Sequence, residues 1–211
     1  MAVPSLALAG LRLPPAPLIK CSFDLRQVCG LSPRALEAHL ALYEEHVEAA
    51  NRLHEQLAEY PSMEELSARE RLGRDGLVRR LSFEHNGVLL HEAFFEALGG
   101  GRGRPAANGR FSDCVDANFG GFEAWRQDVM ELGATRGVGW VIACRSSGEN
   151  RLINIWVDGH TDGLIPGFDP VAVFDLWEHA WLPDFKPGAR QDYLRVLFDN
   201  IDWDVVESRC V

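Results

Sequence analysis

Four residues of this chain, His39, His91, Asp175 and His179, are of types that hold transition metals. The last two stand four apart in Asp175-Leu176-Trp177-Glu178-His179-Ala180-Trp181, among tryptophans. An unpaired carboxylate is costly to bury, and a cation removes that cost. Three imidazoles and one carboxylate suit a first-row transition ion and leave a position for solvent or substrate. Taken singly, each residue also fits a plainer role. A histidine on an apolar helix face is commonly a hydrogen-bonded core residue, and an aspartate can cap the turn that follows it. Two other metal chemistries fail on the letters. His-Glu occurs at His54-Glu55 and His91-Glu92 without the second histidine of HExxH, and Glu-x-x-His, needed for a helical di-iron site, does not occur.

The elements that must position these residues are legible in outline. Ser32-Pro33 supplies an N-cap and a first-turn proline. From there to about residue 60, Leu36, His39, Leu40, Tyr43, Val47 and Ala50 keep the helical period. After a polar stretch around Met63-Glu64-Glu65, a second long helix is expected over 76–98, forming an antiparallel hairpin with the first. GGGRGRPAANGRF, from Gly99, reads as a flexible connector and not as a phosphate loop, because no strand precedes it and no GK[ST] follows.

Beyond the connector, FGGFEAWRQDVMEL reads as one helix, GVGWVIACR and RLINIWVD as a β-hairpin, VAVFDLW as a third strand and RQDYLRVLFDNI as a closing helix. The expected class is α+β. A helical-hairpin domain over 1–100 precedes an α/β domain over 101–211, whose small three-stranded sheet is mostly antiparallel.

With 46% hydrophobic and 25% charged residues, the 211-residue composition is that of a globular protein. A net charge of −10 argues against nucleic acid as a partner. No apolar run approaches a transmembrane length, so no membrane partner is expected. Five scattered cysteines without a CxxC pair point to reduced thiols and a cytoplasmic location. MAVPSLALAGLRLPPAP, at the start, reads as an arm rather than a signal peptide, for want of a basic region and a long apolar run.

At this point the chain resembles the iron/manganese superoxide dismutases, from Leu13 onward. The motif D-x-W-E-H-A-[YW] stands at Asp175–Trp181. Ser82-Phe83, Gly87, Leu90-His91 and Phe94-Phe95 match the second helix of some members, and Gly137-Val138-Gly139-Trp140 matches a strand start. Arg190, Asp192-Tyr193, Asn200 and Trp203 are similar to the closing segment. The resemblance implies one iron or manganese ion per chain, on His39, His91, Asp175 and His179. It implies disproportionation of superoxide, a small anion, to dioxygen and hydrogen peroxide. It further implies that His160 stands against the metal's solvent ligand, that Arg190 guides the anion, and that Glu178 reaches the ligand histidine of a second copy in a homodimer.

The chain also departs from the family pattern. Tyr43 stands where a histidine is usual, Val47 where the channel tyrosine is usual, Val88 where many members have histidine, and Trp181-Leu182 where a tyrosine pair is usual. The nearest substitute for the channel tyrosine is His46. Four and seven residues beyond His39 fall roughly 40° and 20° to either side of it on a helix, so Tyr43 and His46 can both flank the metal-facing stripe. Alternatively the helix is one residue shorter here, aligning His46-Val47 with the usual Tyr-Val, or His46 faces solvent among Glu44, Glu45 and Glu48. An altered channel leaves open a shifted activity, such as peroxide chemistry, or metal binding without catalysis.

Overall fold

The computed structural model describes residues 15–100, 103–146 and 148–210. Most of the expected arm (1–14), two connector residues at the expected domain boundary (101–102) and residue 147 in the hairpin turn lie outside it.

Helix α1 (Pro33–Glu59) starts where the cap signal placed it: the Ser32 hydroxyl accepts from the Ala35 N–H at 3.1 Å. Its buried stripe includes Leu36, His39, Tyr43, Val47 and Ala50. Helix α2 (Ala68–Glu96) begins well before the expected residue 76. Ser67 and Glu70 form a reciprocal capping box, each side chain accepting the other's backbone N–H. Polar residues and two glycines, Gly73 and Gly76, hide this first part from a hydrophobic-period reading. The α1 and α2 helices pack together as the expected hairpin.

The helix expected over 119–132 forms from residue 122, and a helix that was not expected precedes it. Helix α3 (Arg110–Phe119) stops at Gly120, whose left-handed backbone (φ 79°) supplies a C-terminal cap, and α4 (Phe122–Gly133) starts after Gly121. Strand β1 (Gly139–Ser146) is the centre of the sheet, paired antiparallel with β2 (Leu152–Asp158) and β3 (Phe168–Asp175). β3 starts earlier than residue 171 despite Pro170. An edge strand tolerates proline, and the register shifts opposite it, between Ala143 and Cys144. A short α5 (Glu178–Trp181), α6 (Arg190–Asn200) and α7 (Trp203–Ser208) complete the chain. At Gly139 (φ 156°) a Cβ would lie 2.1 Å from the Val157 carbonyl oxygen, so only glycine permits β1 to start this close to β2.

This topology determines where the site can form. Trp140 pairs with Asp175 at the end of β3, and α2 packs on β3 while α1 packs on α5. The inner stripes of both long helices therefore meet the strand end and the turn that carry Asp175 and His179.

Candidate metal centre

His39 from α1, His91 from α2, Asp175 at the last position of β3 and His179 in α5 converge. One potential ligand atom from each lies within 4.8 Å of the others. Three Nε2 atoms surround a single carboxylate oxygen, Asp175 Oδ2, at 3.0 Å (His39), 3.7 Å (His91) and 3.4 Å (His179). His39, His91 and Asp175 are buried, and His179 is partly open.

Local hydrogen bonds aim these groups. His91 Nδ1 lies 2.7 Å from the Gly87 carbonyl oxygen one turn earlier, so it carries the ring proton and leaves Nε2 bare. Asp175 Oδ1 accepts the Trp177 N–H at 2.8 Å, which presents Oδ2 to the imidazoles. Burial lowers the pKa of His39 and of His91, so both rings are neutral. Burial also works against ionising Asp175, but the imidazoles of His179 and His39 outweigh it and hold the carboxyl below its usual range. Neutral imidazoles and an ionised carboxylate are the forms that bind a cation. His91 Nε2 and His179 Nε2 are buried without a hydrogen-bond partner among the described residues. A metal ion would satisfy both, so the donor set fits the ion expected for it.

Beside this cluster lies a cavity of about 180 Å³ lined by Leu42, His46, Phe83, His160, Trp177 and His179. His160, in the loop after β2, is clamped to α2. Its Nδ1 lies 3.2 Å from the Phe83 carbonyl oxygen, its ring stacks on Phe83 at 4.3 Å, and its own carbonyl accepts from Asn86 Nδ2 at 2.9 Å. Its Nε2 is buried and without a partner among the described residues. The ring reaches this place because position 87 is glycine: a Cβ there would meet His160 Nδ1 at 2.7 Å and His46 Nδ1 at 3.0 Å. His46 is turned inward, 5.2 Å from the His91 ring and 4.9 Å from the His160 ring, centroid to centroid.

Other expected residues stand apart from the cavity lining. The Tyr43 hydroxyl donates to Glu92 Oε1 and accepts from the Cys21 N–H, both at 2.8 Å, so it ties α1 to α2 and to the N-terminal segment. Burial pushes its pKa above the ordinary phenol value, which weakens it as a proton donor. Arg190 donates to the Thr135 carbonyl at 3.0 Å and lies over the Trp181 ring at 5.7 Å. Glu178 is exposed. Glu84 was not singled out from the sequence. It is only 3% exposed and binds His46 Nδ1 through Oε2 at 2.5 Å. Its one signal in the letters is position: it precedes His91 by seven residues, two helical turns on the same face.

Burial holds the pKa of His160 down to about 4. Unfolding returns it to the ordinary value near ~6.5. Between those values the unfolded chain binds more protons, so stability falls as pH drops through this window. The urea midpoint of the metal-free protein is expected to decline from pH 6.5 to pH 4 (about those limits). His160→Gln should reduce that decline; an unchanged profile would mean that His160 is not a source of the acid sensitivity.

Comparison with known proteins finds similarity to superoxide dismutases. The family profile described as "Iron/manganese superoxide dismutases, C-terminal domain" matches residues 107–209. "Superoxide dismutase [Fe]" of Aquifex aeolicus is 30% identical over 184 residues, covering 85% of this chain and 84% of that protein. "Superoxide dismutase [Mn] 2" of Haloferax volcanii is 31% identical over 134 residues, or 64% of this chain. That match spans 66% of the Haloferax protein, under two thirds of its length. "Superoxide dismutase [Fe]" of Methanothermobacter thermautotrophicus is 29% identical over 136 residues, covering 63% of this chain and 65% of that protein.

Proposed function

This chain belongs to the iron/manganese superoxide dismutase family, and on that premise we propose that it disproportionates superoxide at one iron or manganese ion per chain, held by His39, His91, Asp175 and His179. The observation that carries the reading is the ring of three imidazole Nε2 atoms around Asp175 Oδ2. Held by these four residues, the ion would supply the one-electron redox couple for a reaction in which two superoxides and two protons give dioxygen and hydrogen peroxide.

The chain's own residues do the rest. Three neutral imidazoles and one carboxylate leave a local net positive charge once the cation is in place. That draws a small anion into a protein whose net charge is −10. The cavity of about 180 Å³ admits solvent and a diatomic anion, and is smaller than the roughly 300–1,000 Å³ typical of larger ligands. His160, clamped on Phe83, orients solvent at the open side of the site. His46 supplies protons to the departing product, the role the channel tyrosine has in the resemblance. Tyr43 supports α1 instead, since its hydroxyl is committed to Glu92 and Cys21. Arg190 contributes to the field that guides the anion.

The proposal extends to a homodimer and a cytoplasmic location. His179 is 26% exposed beside the exposed Glu178, an arrangement that supports Glu178 reaching the partner's His179. All five cysteines are free, which favours a reducing compartment. The proposal includes a division into an N-terminal domain over 1–100 and a C-terminal domain over 101–211.

The deciding experiment is a direct superoxide decay assay on protein loaded separately with iron and with manganese, with elemental analysis of the same samples. Fast decay with about one ion per chain is expected in at least one form, and light scattering on that sample should give the mass of a dimer. A fully loaded protein inert toward superoxide but active toward peroxide would replace this function with the shifted activity. Inertness toward both would leave a metal-binding protein without catalysis.

A further inference from the structure

Glu84 is the one buried glutamate among the described residues. It lies on the α2 stripe with Gly87 and His91, facing the α1 stripe that carries His39 and His46. One carboxylate oxygen is 2.5 Å from His46 Nδ1, and the other binds the Arg80 guanidinium one turn back on α2. Arg80 itself is 61% exposed and also covers the Phe83 ring at 4.8 Å. A chain of charge-assisted contacts therefore runs from the surface through Glu84 to an imidazole lining the cavity.

Stability alone does not account for this arrangement. Apolar side chains of similar volume commonly replace a buried ion pair at no loss of stability. At position 84 such a residue would leave His46 without a fixed orientation. Gly87, one turn on, leaves room for the ring: a Cβ there would be 3.0 Å from His46 Nδ1. Two positions on one face of α2 thus serve the placement of His46, one by holding it and one by yielding space.

We propose that Glu84, anchored by Arg80, is a positioning residue: it accepts the Nδ1–H of His46 and thereby fixes the ring, leaving Nε2 to meet what enters the cavity. A carboxylate can only accept, so Nδ1 must carry a proton. Free rotation of the imidazole would present Nδ1 and Nε2 alternately. The hydrogen bond removes that choice, as an outer partner does for a ligand histidine. The catalytic consequence rests on the superoxide reading above; the positioning itself does not.

The test separates the two. In metal-free protein, long-range ¹H–¹⁵N correlation reads the protonation of each His46 nitrogen, assigned by the signals lost in His46→Gln. Wild type is expected to show a protonated Nδ1. Glu84→Gln, which keeps the shape, should move the His46 nitrogen shifts toward a mixture of tautomers. In metal-loaded protein, Glu84→Gln should lower turnover about 10–100-fold, the usual cost of losing an outer partner, with metal content unchanged. In the His46→Gln background the same substitution should have little further effect.

Unmoved His46 nitrogen signals in Glu84→Gln overturn the proposal. So does an equal loss of turnover with and without His46. Should Glu84→Gln fail to fold, Arg80→Gln loosens the anchor from the exposed side and should shift the same signals in the same direction; no shift there also overturns it. If the nitrogen signals respond while the loaded protein is inert toward superoxide, the positioning stands and the functional reading fails.

Discussion

Asp175→Ala is expected to yield a chain that folds less stably and binds no iron or manganese. Asp175 Oδ2 is the oxygen on which the Nε2 atoms of His39, His91 and His179 converge. Its loss removes the one negative charge in the donor set and leaves three buried or half-buried imidazoles facing one another. Losing an outer hydrogen-bond partner of a ligand costs about 10–100-fold in metal affinity; loss of the charged ligand itself should exceed that range. Bound metal favours the folded state by mass action, so wild type should gain melting temperature on loading while Asp175→Ala gains none. The variant also loses the acceptor for the Trp177 N–H, which holds the turn into α5, so the metal-free forms should differ modestly as well. Elemental analysis and paired melting curves read both effects. A variant that still carries about one ion per chain would refute the assigned donor set.

Gly87→Ala is expected to leave the metal in place and remove most of the activity. The added Cβ would lie 2.7 Å from His160 Nδ1 and 2.9 Å from its Cε1, closer than real Cβ contacts allow. His160 cannot yield freely, because Phe83 stacks on it and the Phe83 carbonyl holds its Nδ1. His46, 3.0 Å from the same point, is held by Glu84. One methyl group therefore displaces His160 and His46, two of the three histidines that line the cavity. Alanine also favours the helix over glycine by about 0.8–1.0 kcal/mol, which offsets part of the strain, so the variant should fold. Turnover about 10–100-fold below wild type is expected at full metal occupancy, in line with the loss of outer-shell orientation. Wild-type turnover in Gly87→Ala would show that neither His160 nor His46 needs its observed place.

Much of this was readable without coordinates. The ligand candidates came from residue type and from the four-residue spacing of Asp175 and His179, and α1 from its Ser32-Pro33 start and its period. These are local properties: a cap, a helical face and a turn involve residues near one another in the chain. The same locality explains the misses. The first part of α2 is held by the Ser67–Glu70 box, where hydrophobic period carries little signal, and α3, absent from the expected elements, is a ten-residue helix bounded by Gly109 and Gly120.

Only the tertiary structure shows which of Tyr43 and His46 lines the cavity. Both flank the same stripe of α1, and no helical angle separates them. Partners from elsewhere do: Glu92 and Cys21 draw the phenol aside, whereas Glu84 turns the imidazole toward the cavity. In the same way Gly87 and His160 acquire meaning only together, since the loop after β2 comes to rest in the space that a missing side chain on α2 leaves open. Side-chain direction in a packed interior depends on contacts between residues distant in sequence, such as the 38 positions between His46 and Glu84, and a single string of letters carries no record of those distances.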